Sequence, residues 1–242
     1  MGNAITYGHR GASKYAPENT FSSYIKAVEM GADGIEIDVH KSKDGHLIVC
    51  HDEKVDRTTN GKGFIKDLSL KEIKALDAGS WFSKDFIGEK VPLLEEVLEF
   101  VKKEDILLNI EVKNGPIFYD KIEEDVINVV KAYDLVEQTI ISSFNHYSLA
   151  YIKNIAKEFK TGILYIAGML EPWEYAKSVG ASAIHPLFLT INKEVVKQCQ
   201  QNGIKVNPFT VNGEEELKLM KLFNVDGVIT DCPDICKKIF HD

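Results

Sequence analysis

The chain lacks the features that mark membrane, disulfide-bonded and nucleic-acid-binding proteins. No apolar run in its 242 residues reaches the roughly 18 that a membrane helix needs. Its four cysteines show no Cys-x-x-Cys spacing, so no disulfide framework or zinc site is indicated. A formal net charge of -8 argues against a phosphate-backbone surface, which needs clustered Lys and Arg. We therefore expect no nucleic-acid partner and no stable membrane association.

The composition is that of an ordinary globular protein, with 44% apolar and 27% charged residues. The N-terminus lacks the charged and apolar segments of a signal peptide, and the unpaired cysteines are typical of a reducing compartment. We therefore expect a cytoplasmic location. The length allows one large core, and the sequence leaves the oligomeric state open.

Short apolar strands alternate along the chain with amphipathic helices whose apolar residues recur at three- and four-residue spacing. Strict alternation of this kind predicts parallel strands joined by right-handed crossovers, and eight units at this length favour a (β/α)8 TIM barrel of class α/β. The predicted strands are Ala4–Gly8, Gly34–Val39, Asp105–Glu111, Gln138–Ser142, Thr161–Tyr165, Ser182–His185, Ile204–Pro208 and Gly227–Thr230. The predicted helices are Thr20–Met30, Leu93–Lys102, Asp120–Tyr133, His146–Phe159, Pro172–Val179, Lys193–Gln201, Glu214–Phe223 and Pro233–Phe240.

One connection, residues 53–92, is far longer than the usual loop of such a barrel. It contains a capping box, Ser69-Leu70-Lys71-Glu72, and an aromatic cluster of Trp81, Phe82 and Phe86, so we expect it to be structured. Its place after the second strand indicates a small lid-like insertion at the barrel mouth within a single catalytic domain, 1–242. Packing on the flank of the barrel is the alternative.

Polar side chains follow the strands, and in such barrels chemistry lies at the carboxyl ends of the strands. Glu36 and Asp38 are two residues apart in one strand and therefore share a face, and Glu111 ends the next strand. Three carboxylates without cysteine suit one hard divalent cation, Mg²⁺ or Ca²⁺. His9 and Arg10 end the first strand and add a proton carrier and a phosphate-binding fork.

The stretch that follows Asp38 reads as a hairpin, because Asp44-Gly45 is a strong two-residue turn signal. In that turn the numbers of paired residues sum to 89, which places His51 opposite Asp38 and on its face. A solvated hairpin with incidental charges is the alternative. By the same parity His40 faces the carboxylates, as a fourth ligand or as a surface residue of the hairpin.

Several short motifs resemble those of the glycerophosphodiester phosphodiesterases, run in that family's order and cover nearly the whole chain. The matching segments are His9-Arg10-Gly11, Pro17-Glu18-Asn19-Thr20, Gly34-Ile35-Glu36-Ile37-Asp38-Val39, Lys43-Asp44-Gly45, His51-Asp52, Glu111-Val112-Lys113, Thr210-Val211-Asn212 and Gly227-Val228-Ile229-Thr230-Asp231. The resemblance implies a (β/α)8 barrel that hydrolyses glycerophosphodiesters to sn-glycerol 3-phosphate and an alcohol with one divalent cation.

The resemblance also implies a role for each matching side chain. His9 and His51 would be the acid-base pair, and Glu36, Asp38 and Glu111 the metal ligands. Arg10 and Lys113 would contact phosphate, while Phe209 stands where the family usually has Trp and keeps an apolar wall for the glycerol carbons. Independently of the resemblance, we expect four residues to support these groups without touching the substrate, with a helix cap as the alternative for Asp231: Glu18, Asn19, Asn212 and Asp231.

Glu18 and Asn19 are also predicted to cap the first helix and to brace Arg10. His185, at the end of the sixth strand, is equally consistent with a site-lining and a core position. For the chemistry, the glycerol hydroxyl beside the phosphate is the expected first nucleophile, giving a cyclic phosphate that water opens. Direct attack by water is the alternative, and which histidine acts as base stays open.

Two other functions fit parts of the sequence. A phospholipase-type phosphodiesterase acting on intact lipids would need an exposed apolar rim, which Trp81, Phe82 and Phe86 could supply. A non-catalytic binding barrel would have no reason to keep two histidines beside three carboxylates.

Overall fold

The computed structural model describes residues 4–241, which form one nine-stranded sheet flanked by helices. Eight strands are parallel neighbours in the order β8-β7-β6-β5-β4-β2-β1-β9, and β3 pairs antiparallel with β2. The strands are β1 (Ile5–His9), β2 (Gly34–Lys41), β3 (Leu47–Val49), β4 (Leu107–Val112), β5 (Thr139–Ser143), β6 (Lys160–Tyr165), β7 (Ala183–Pro186), β8 (Lys205–Val206) and β9 (Gly227–Thr230).

The first and last strands of this order meet, which closes the sheet into a barrel. Asp226 N donates to Val206 O and Ile229 N donates to Pro208 O, each at 3.0 Å. Every parallel strand overlaps a segment that the sequence predicts. The (β/α)8 barrel is therefore confirmed.

Nine α-helices accompany the strands in the described part of the chain. They are α1 (Phe21–Glu29), α2 (Leu70–Ala75), α3 (Leu94–Glu104), α4 (Ile122–Ala132), α5 (His146–Ile155), α6 (Pro172–Val179), α7 (Lys193–Gln201), α8 (Glu214–Phe223) and α9 (Pro233–His241). Helix α6 begins with Pro172 and ends at Gly180 in the left-handed region, as its sequence predicts. No helix among residues 4–241 is both long and apolar enough to cross a membrane.

The start of α1 differs from the prediction. Thr20, not Glu18 or Asn19, is the N-cap, and its side chain accepts from Ser23 N in a reciprocal capping box. Capping needs the residue that directly precedes the first helical turn, so Glu18 lies two positions and Asn19 one position too early. Their side chains are free to turn toward the barrel instead.

The inserted segment, 53–92, contains α2 and two short 3-10 turns, Ile65–Asp67 and Lys84–Phe86. Val55, Ile65 and Ile73 are fully buried in a small cluster with Ile48 of β3. The predicted capping box of Ser69 and Glu72 is present at α2. The segment therefore has its own core, continuous with the β2–β3 hairpin.

The hairpin register differs by one residue from the predicted register. Val39 pairs with Val49 and Lys41 with Leu47, so paired numbers sum to 88 and not to 89. The turn is a three-residue loop, in which Ser42 N donates to His46 O at 2.9 Å and Gly45 has φ 91°. An Asp-Gly pair fits this loop as well as a two-residue turn, which explains the wrong prediction.

The shift places Cys50, not His51, opposite Asp38, and Cys50 N donates to Asp38 O at 3.0 Å. His51 instead lies two residues beyond the end of β3, where the chain bends. Its approach to the carboxylates is thus set by this bend and not by cross-strand pairing.

Gly45 tests the loop. An added Cβ would meet only Lys41 Cε at 3.9 Å, so Gly45→Ala costs backbone strain at positive φ and no clash. We expect a loss of about 1–2 kcal/mol in the free energy of unfolding, measured by urea titration. Gly168→Ala is the matched control: nothing lies within 4 Å of its Cβ, and its effect should stay within about 0.5 kcal/mol. Equal effects of both substitutions would contradict the loop assignment.

Candidate active site

The polar strand ends converge on one cavity of about 190 Å³ at the carboxyl ends of the barrel strands. Two histidines, two buried carboxylates and one arginine lie on one side of it, and Phe144 and Phe209 form an apolar wall with their rings edge to face, 5.9 Å between centroids. The lining residues are His9, Arg10, Glu36, His51, Asn109, Glu111, Ser142, Phe144, Leu164, Phe209, Thr210 and Ile229.

Strand register explains why three carboxylates meet beside this cavity. Asp38 on β2 pairs with Glu111 on β4, and Glu36 pairs with His9 at the end of β1. Glu36 and Asp38 point to the same face because they are two residues apart in β2. Carboxylate oxygens of all three residues lie within 4.8 Å of one another, and all three side chains are buried. The predicted cluster is therefore present.

The three carboxylates differ in their pKa values. Burial and the neighbouring Asp38 and Glu111 raise the pKa of Glu36 well above its usual range. Burial also raises the pKa of Glu111, to about 7, against the opposing charge of Lys113. Burial acts to raise the pKa of Asp38 too, but Lys113, Arg10 and His51 outweigh it and lower the pKa. Asp38 is thus the most acidic of the three carboxylates.

Arg10 and Lys113 are the cations that offset this cluster. Lys113 Nζ donates to Glu111 Oε1 at 2.9 Å and lies 3.6 Å from Asp38 Oδ1. Arg10 Nε lies 3.4 Å from Asp38 Oδ2, and the backbone N of Arg10 donates to Glu36 Oε2 at 3.1 Å. Arg10 adopts φ 55°, an uncommon conformation for a residue other than glycine, which Asn19 N and Ser23 Oγ hold by donating to its carbonyl.

The cluster also suits a hard cation on geometric grounds. Asp38 Oδ1 is buried without a hydrogen-bond partner among the described residues, which is costly unless the oxygen has another ligand. A spread of 4.8 Å between ligand oxygens matches the roughly 5 Å that separates oxygens on opposite sides of one Ca²⁺. These three residues could therefore hold one divalent cation.

Each cavity-lining histidine is held by a carboxylate at its Nδ1 atom. His9 Nδ1 lies 2.6 Å from Asp231 Oδ1, and His51 Nδ1 lies 2.7 Å from Asp52 Oδ1. Because an ionised carboxylate only accepts, both Nδ1 atoms carry the proton and both Nε2 atoms are left for chemistry. Burial lowers the pKa of His51, although the charge of Asp38 opposes it.

The four predicted supporting residues all contact groups of the site. Glu18 Oε1 accepts from Arg10 Nη1 at 2.9 Å, and Asn19 Nδ2 donates to Asp38 Oδ2 at 3.0 Å. Asn212 Nδ2 donates to Asp231 Oδ2 at 2.6 Å, so Asp231 is fixed from both sides. Glu18 and Asp231 thus contact cavity-lining residues directly, whereas Asn19 and Asn212 contact Asp38 and Asp231, which do not line the cavity.

His40 is neither a ligand of the cluster nor a surface residue, and both of its predicted roles are wrong. Its side chain is buried, with Nε2 3.1 Å from His51 O and Nδ1 3.0 Å from the Tyr119 hydroxyl. A carbonyl only accepts, so His40 Nε2 donates to it and Tyr119 donates to Nδ1. His40 therefore fixes the backbone of His51, which neither the hairpin pattern nor strand parity indicated.

Arg57 is a residue behind this site that the sequence did not single out, as are Phe144 and Leu164 in the cavity lining. Arg57 lies in the inserted segment and donates to both Asp52 and Glu18. A lone arginine in a loop carries no local signal, because its partners are reached only through the tertiary fold. No residue of 53–92 lines the cavity, so the lid-like role of the segment stays a prediction.

The predicted aromatic cluster offers little exposed apolar surface for a lipid: Trp81 is 38% exposed, and Phe82 and Phe86 are half-buried. Trp81, Phe82 and Phe86 pack edge to face on one another, with ring centroids 5.6 and 5.5 Å apart. Trp81 Nε1 also donates to Ala78 O within the insertion. The rings thus serve the insertion's own packing, which disfavours cleavage of intact lipids.

His185 belongs to the core and not to the cavity lining. It is fully buried, its Nε2 accepts from Asn207 Nδ2 at 3.1 Å, and Nδ1 has no partner among the described residues. Burial lowers the pKa of His185 from 6.5 to about 3. The neutral imidazole is thus the form that the fold accommodates.

The pKa of His185 predicts a pH dependence of stability. Below pH 6.5 the unfolded chain binds a proton that the folded chain refuses until about pH 3, so stability falls as the pH drops through this window. We expect His185→Gln to reduce the slope by about 1 kcal/mol per pH unit in urea unfolding between pH 6.5 and 5. An unchanged slope would contradict the assignment of a buried neutral histidine.

A closed barrel with a carboxylate cluster, two carboxylate-held histidines and two cations at its strand ends defines a (β/α)8-barrel enzyme site for an anionic substrate. The model of the glycerophosphoryl diester phosphodiesterase family matches residues 9–235. The chain belongs to this family.

Similar proteins and solved structures agree with this family assignment. The chain is 50% identical to a glycerophosphodiester phosphodiesterase of Caldanaerobacter subterraneus subsp. tengcongensis over 230 residues, 95% of each chain. It is 39% identical to one of Bacillus altitudinis over 236 residues, 96% of each. A phosphodiesterase of Oleispira antarctica, solved in complex with the product sn-glycerol-3-phosphate, superposes with a TM-score of 0.86 at 31% identity, covering 98% of this chain and 96% of that one.

Proposed function

We propose that this protein hydrolyses glycerophosphodiesters to sn-glycerol 3-phosphate and an alcohol with the help of one divalent cation. The observation that carries the proposal is the convergence of the acidic cluster, both histidines and Arg10 at one cavity, with Lys113 bound to Glu111. Family membership supports the reaction class, and the product bound to the Oleispira antarctica enzyme supports the substrate class.

Glu36, Asp38 and Glu111 are the proposed ligands of the cation. Their all-oxygen donor set suits Mg²⁺ or Ca²⁺. When bound, the cation supplies charge neutralisation of the phosphate oxygens and lowers the pKa of a coordinated hydroxyl or water.

A charge count supports binding of an anionic phosphodiester. As ligands of a cation the three carboxylates are all ionised and carry three negative charges, and Arg10 and Lys113 carry two positive charges, which gives a formal charge of -1 among these five side chains before the cation is counted. A divalent cation changes this sum to +1. The loaded site then attracts a phosphodiester, which bears one negative charge.

Arg10 and Lys113 have a second role once the cation is bound. Both now neutralise carboxylates, and a divalent cation takes over that task. Their donors then become available for the non-bridging oxygens of phosphate, Arg10 as a planar fork and Lys113 as a point charge. Phe209 and Phe144 give the glycerol carbons an apolar wall.

The histidines divide the proton transfers. One imidazole must be neutral to accept a proton from the nucleophile, and the other must be protonated to donate one to the leaving oxygen. Both are oriented for this by carboxylates at Nδ1. Activity should therefore follow a bell-shaped pH profile. For the nucleophile we propose the glycerol hydroxyl beside the phosphate, giving a cyclic phosphate that water opens with the proton roles reversed.

The activity assay tests the reaction class. Purified protein should release sn-glycerol 3-phosphate from glycerophosphocholine or glycerophosphoethanolamine, and a chelator should abolish the release. His9→Ala and His51→Ala should each lower kcat by about 10²–10⁴-fold, because each removes a proton carrier.

His46→Ala is the matched control, since His46 lies in the same hairpin as His51 but outside the cavity lining. It should retain wild-type activity. Turnover without a divalent cation, or full activity in both His9→Ala and His51→Ala, would overturn the assignment.

The nucleophile is tested separately by a single turnover. With glycerophosphocholine we expect a transient 1,2-cyclic phosphate, detected by ³¹P NMR after rapid quenching. An analogue that lacks the hydroxyl beside the phosphate should not be cleaved. Cleavage of that analogue without a cyclic intermediate would favour direct attack by water.

A further inference from the structure

Arg57 lies in the inserted segment, outside the cavity lining, yet its guanidinium contacts two carboxylates that belong to the site. Nε and Nη2 donate to Asp52 Oδ2 and Oδ1 at 2.8 and 3.0 Å. Nη1 and Nη2 donate to Glu18 Oε2 and Oε1 at 2.7 and 2.8 Å. Both contacts are bidentate, so one rigid planar group fixes the orientation of two carboxylates.

Each of these carboxylates holds a group assigned to the reaction. Asp52 Oδ1 accepts from His51 Nδ1 at 2.7 Å, and Glu18 Oε1 accepts from Arg10 Nη1 at 2.9 Å. Arg57 is therefore the shared link between a proton carrier and a phosphate-binding arginine. No other described side chain donates to both Asp52 and Glu18.

The exposures of the three partners indicate what this link contributes. The side chain of Arg57 is 44% exposed, against 29% for Asp52 and 11% for Glu18. Ion pairs at such exposure add little to stability, because water screens the charges. Fixed orientation is the larger effect. Without Arg57, Asp52 could rotate into solvent and release His51, and Glu18 would lose two of its three hydrogen bonds from arginine.

We propose that Arg57 is a positioning residue for phosphodiester cleavage, which holds the His51 imidazole through Asp52 and the Arg10 guanidinium through Glu18. The inference rests on the proposed function. It gives the inserted segment a task in the reaction although none of its residues lines the cavity: the docking of residues 53–92 on the barrel orders both groups at once.

The test compares Arg57→Met with Arg57→Lys and with Lys66→Met as the matched control. Lys66 lies in the same segment and is exposed, and among the described residues its ammonium contacts Asp67 and the Phe64 ring, so its loss changes the charge equally without touching the site. Arg57→Met should lower kcat about 10- to 100-fold and also raise KM. Arg57→Lys keeps the charge but cannot bridge both carboxylates, so its kcat and KM should lie between those of Arg57→Met and the wild type. Lys66→Met should match wild type.

The contact through Asp52 to His51 and the contact through Glu18 to Arg10 should affect different kinetic parameters. Asp52→Asn should mainly lower kcat, because it loosens His51, whereas Glu18→Gln should mainly raise KM, because it loosens Arg10. Adding Arg57→Met to either variant should leave the parameter already affected almost unchanged. Simple loss of folded protein would lower the apparent kcat and leave KM as it is. Melting curves of each variant provide the folded fraction.

Wild-type kinetics in folded Arg57→Met would overturn the positioning role of Arg57 but not the proposed function. Full additivity of Arg57→Met with both Asp52→Asn and Glu18→Gln would do the same. If Arg57→Met does not fold, wild-type kinetics in Arg57→Lys would overturn it. Absence of phosphodiesterase activity in the wild-type protein would overturn the proposed function and this inference together.

Discussion

The constraint on which this site depends is the repulsion among three buried carboxylates, which the surrounding structure must offset. Asp38, Glu36 and Glu111 lie within 4.8 Å of one another, and two cations, Arg10 and Lys113, do not fully offset their charge. Such a cluster opposes folding unless a further positive charge joins it. The barrel supplies the framework that keeps the carboxylates together, since β2 and β4 are fixed in register by their ladder.

A second layer of residues orients the groups around this cluster. Asp231 with Asn212 holds His9, Asp52 with Arg57 holds His51, and Glu18 holds Arg10, so each of these three cavity-lining side chains has a partner behind it. His40 adds a contact to the backbone of His51. The strand ends thus carry the cavity-lining side chains, and the contacts behind them fix the orientation of these side chains.

Most of the fold and the inner site were predictable because they follow from short periodicities. Two-residue spacing placed Glu36 and Asp38 on one face, and alternating elements predicted parallel strands whose carboxyl ends meet. The failures needed tertiary information. Asp44-Gly45 fits two turn lengths, and the choice between them shifted His51 by one residue. The contacts of His40 and Arg57 join segments whose mutual placement no local pattern encodes. The N-cap at Thr20 was missed by one to two positions for lack of a packing constraint.

The central claim is that a divalent cation takes over the neutralisation of the three carboxylates and thereby creates affinity for the phosphate group. Calorimetric titration with sn-glycerol 3-phosphate, with Ca²⁺ or Mg²⁺ and then with chelator, measures this directly. The account predicts binding only in the presence of the cation, and no cation-dependent binding by Asp38→Asn. Equal affinity for sn-glycerol 3-phosphate with and without the cation would contradict it.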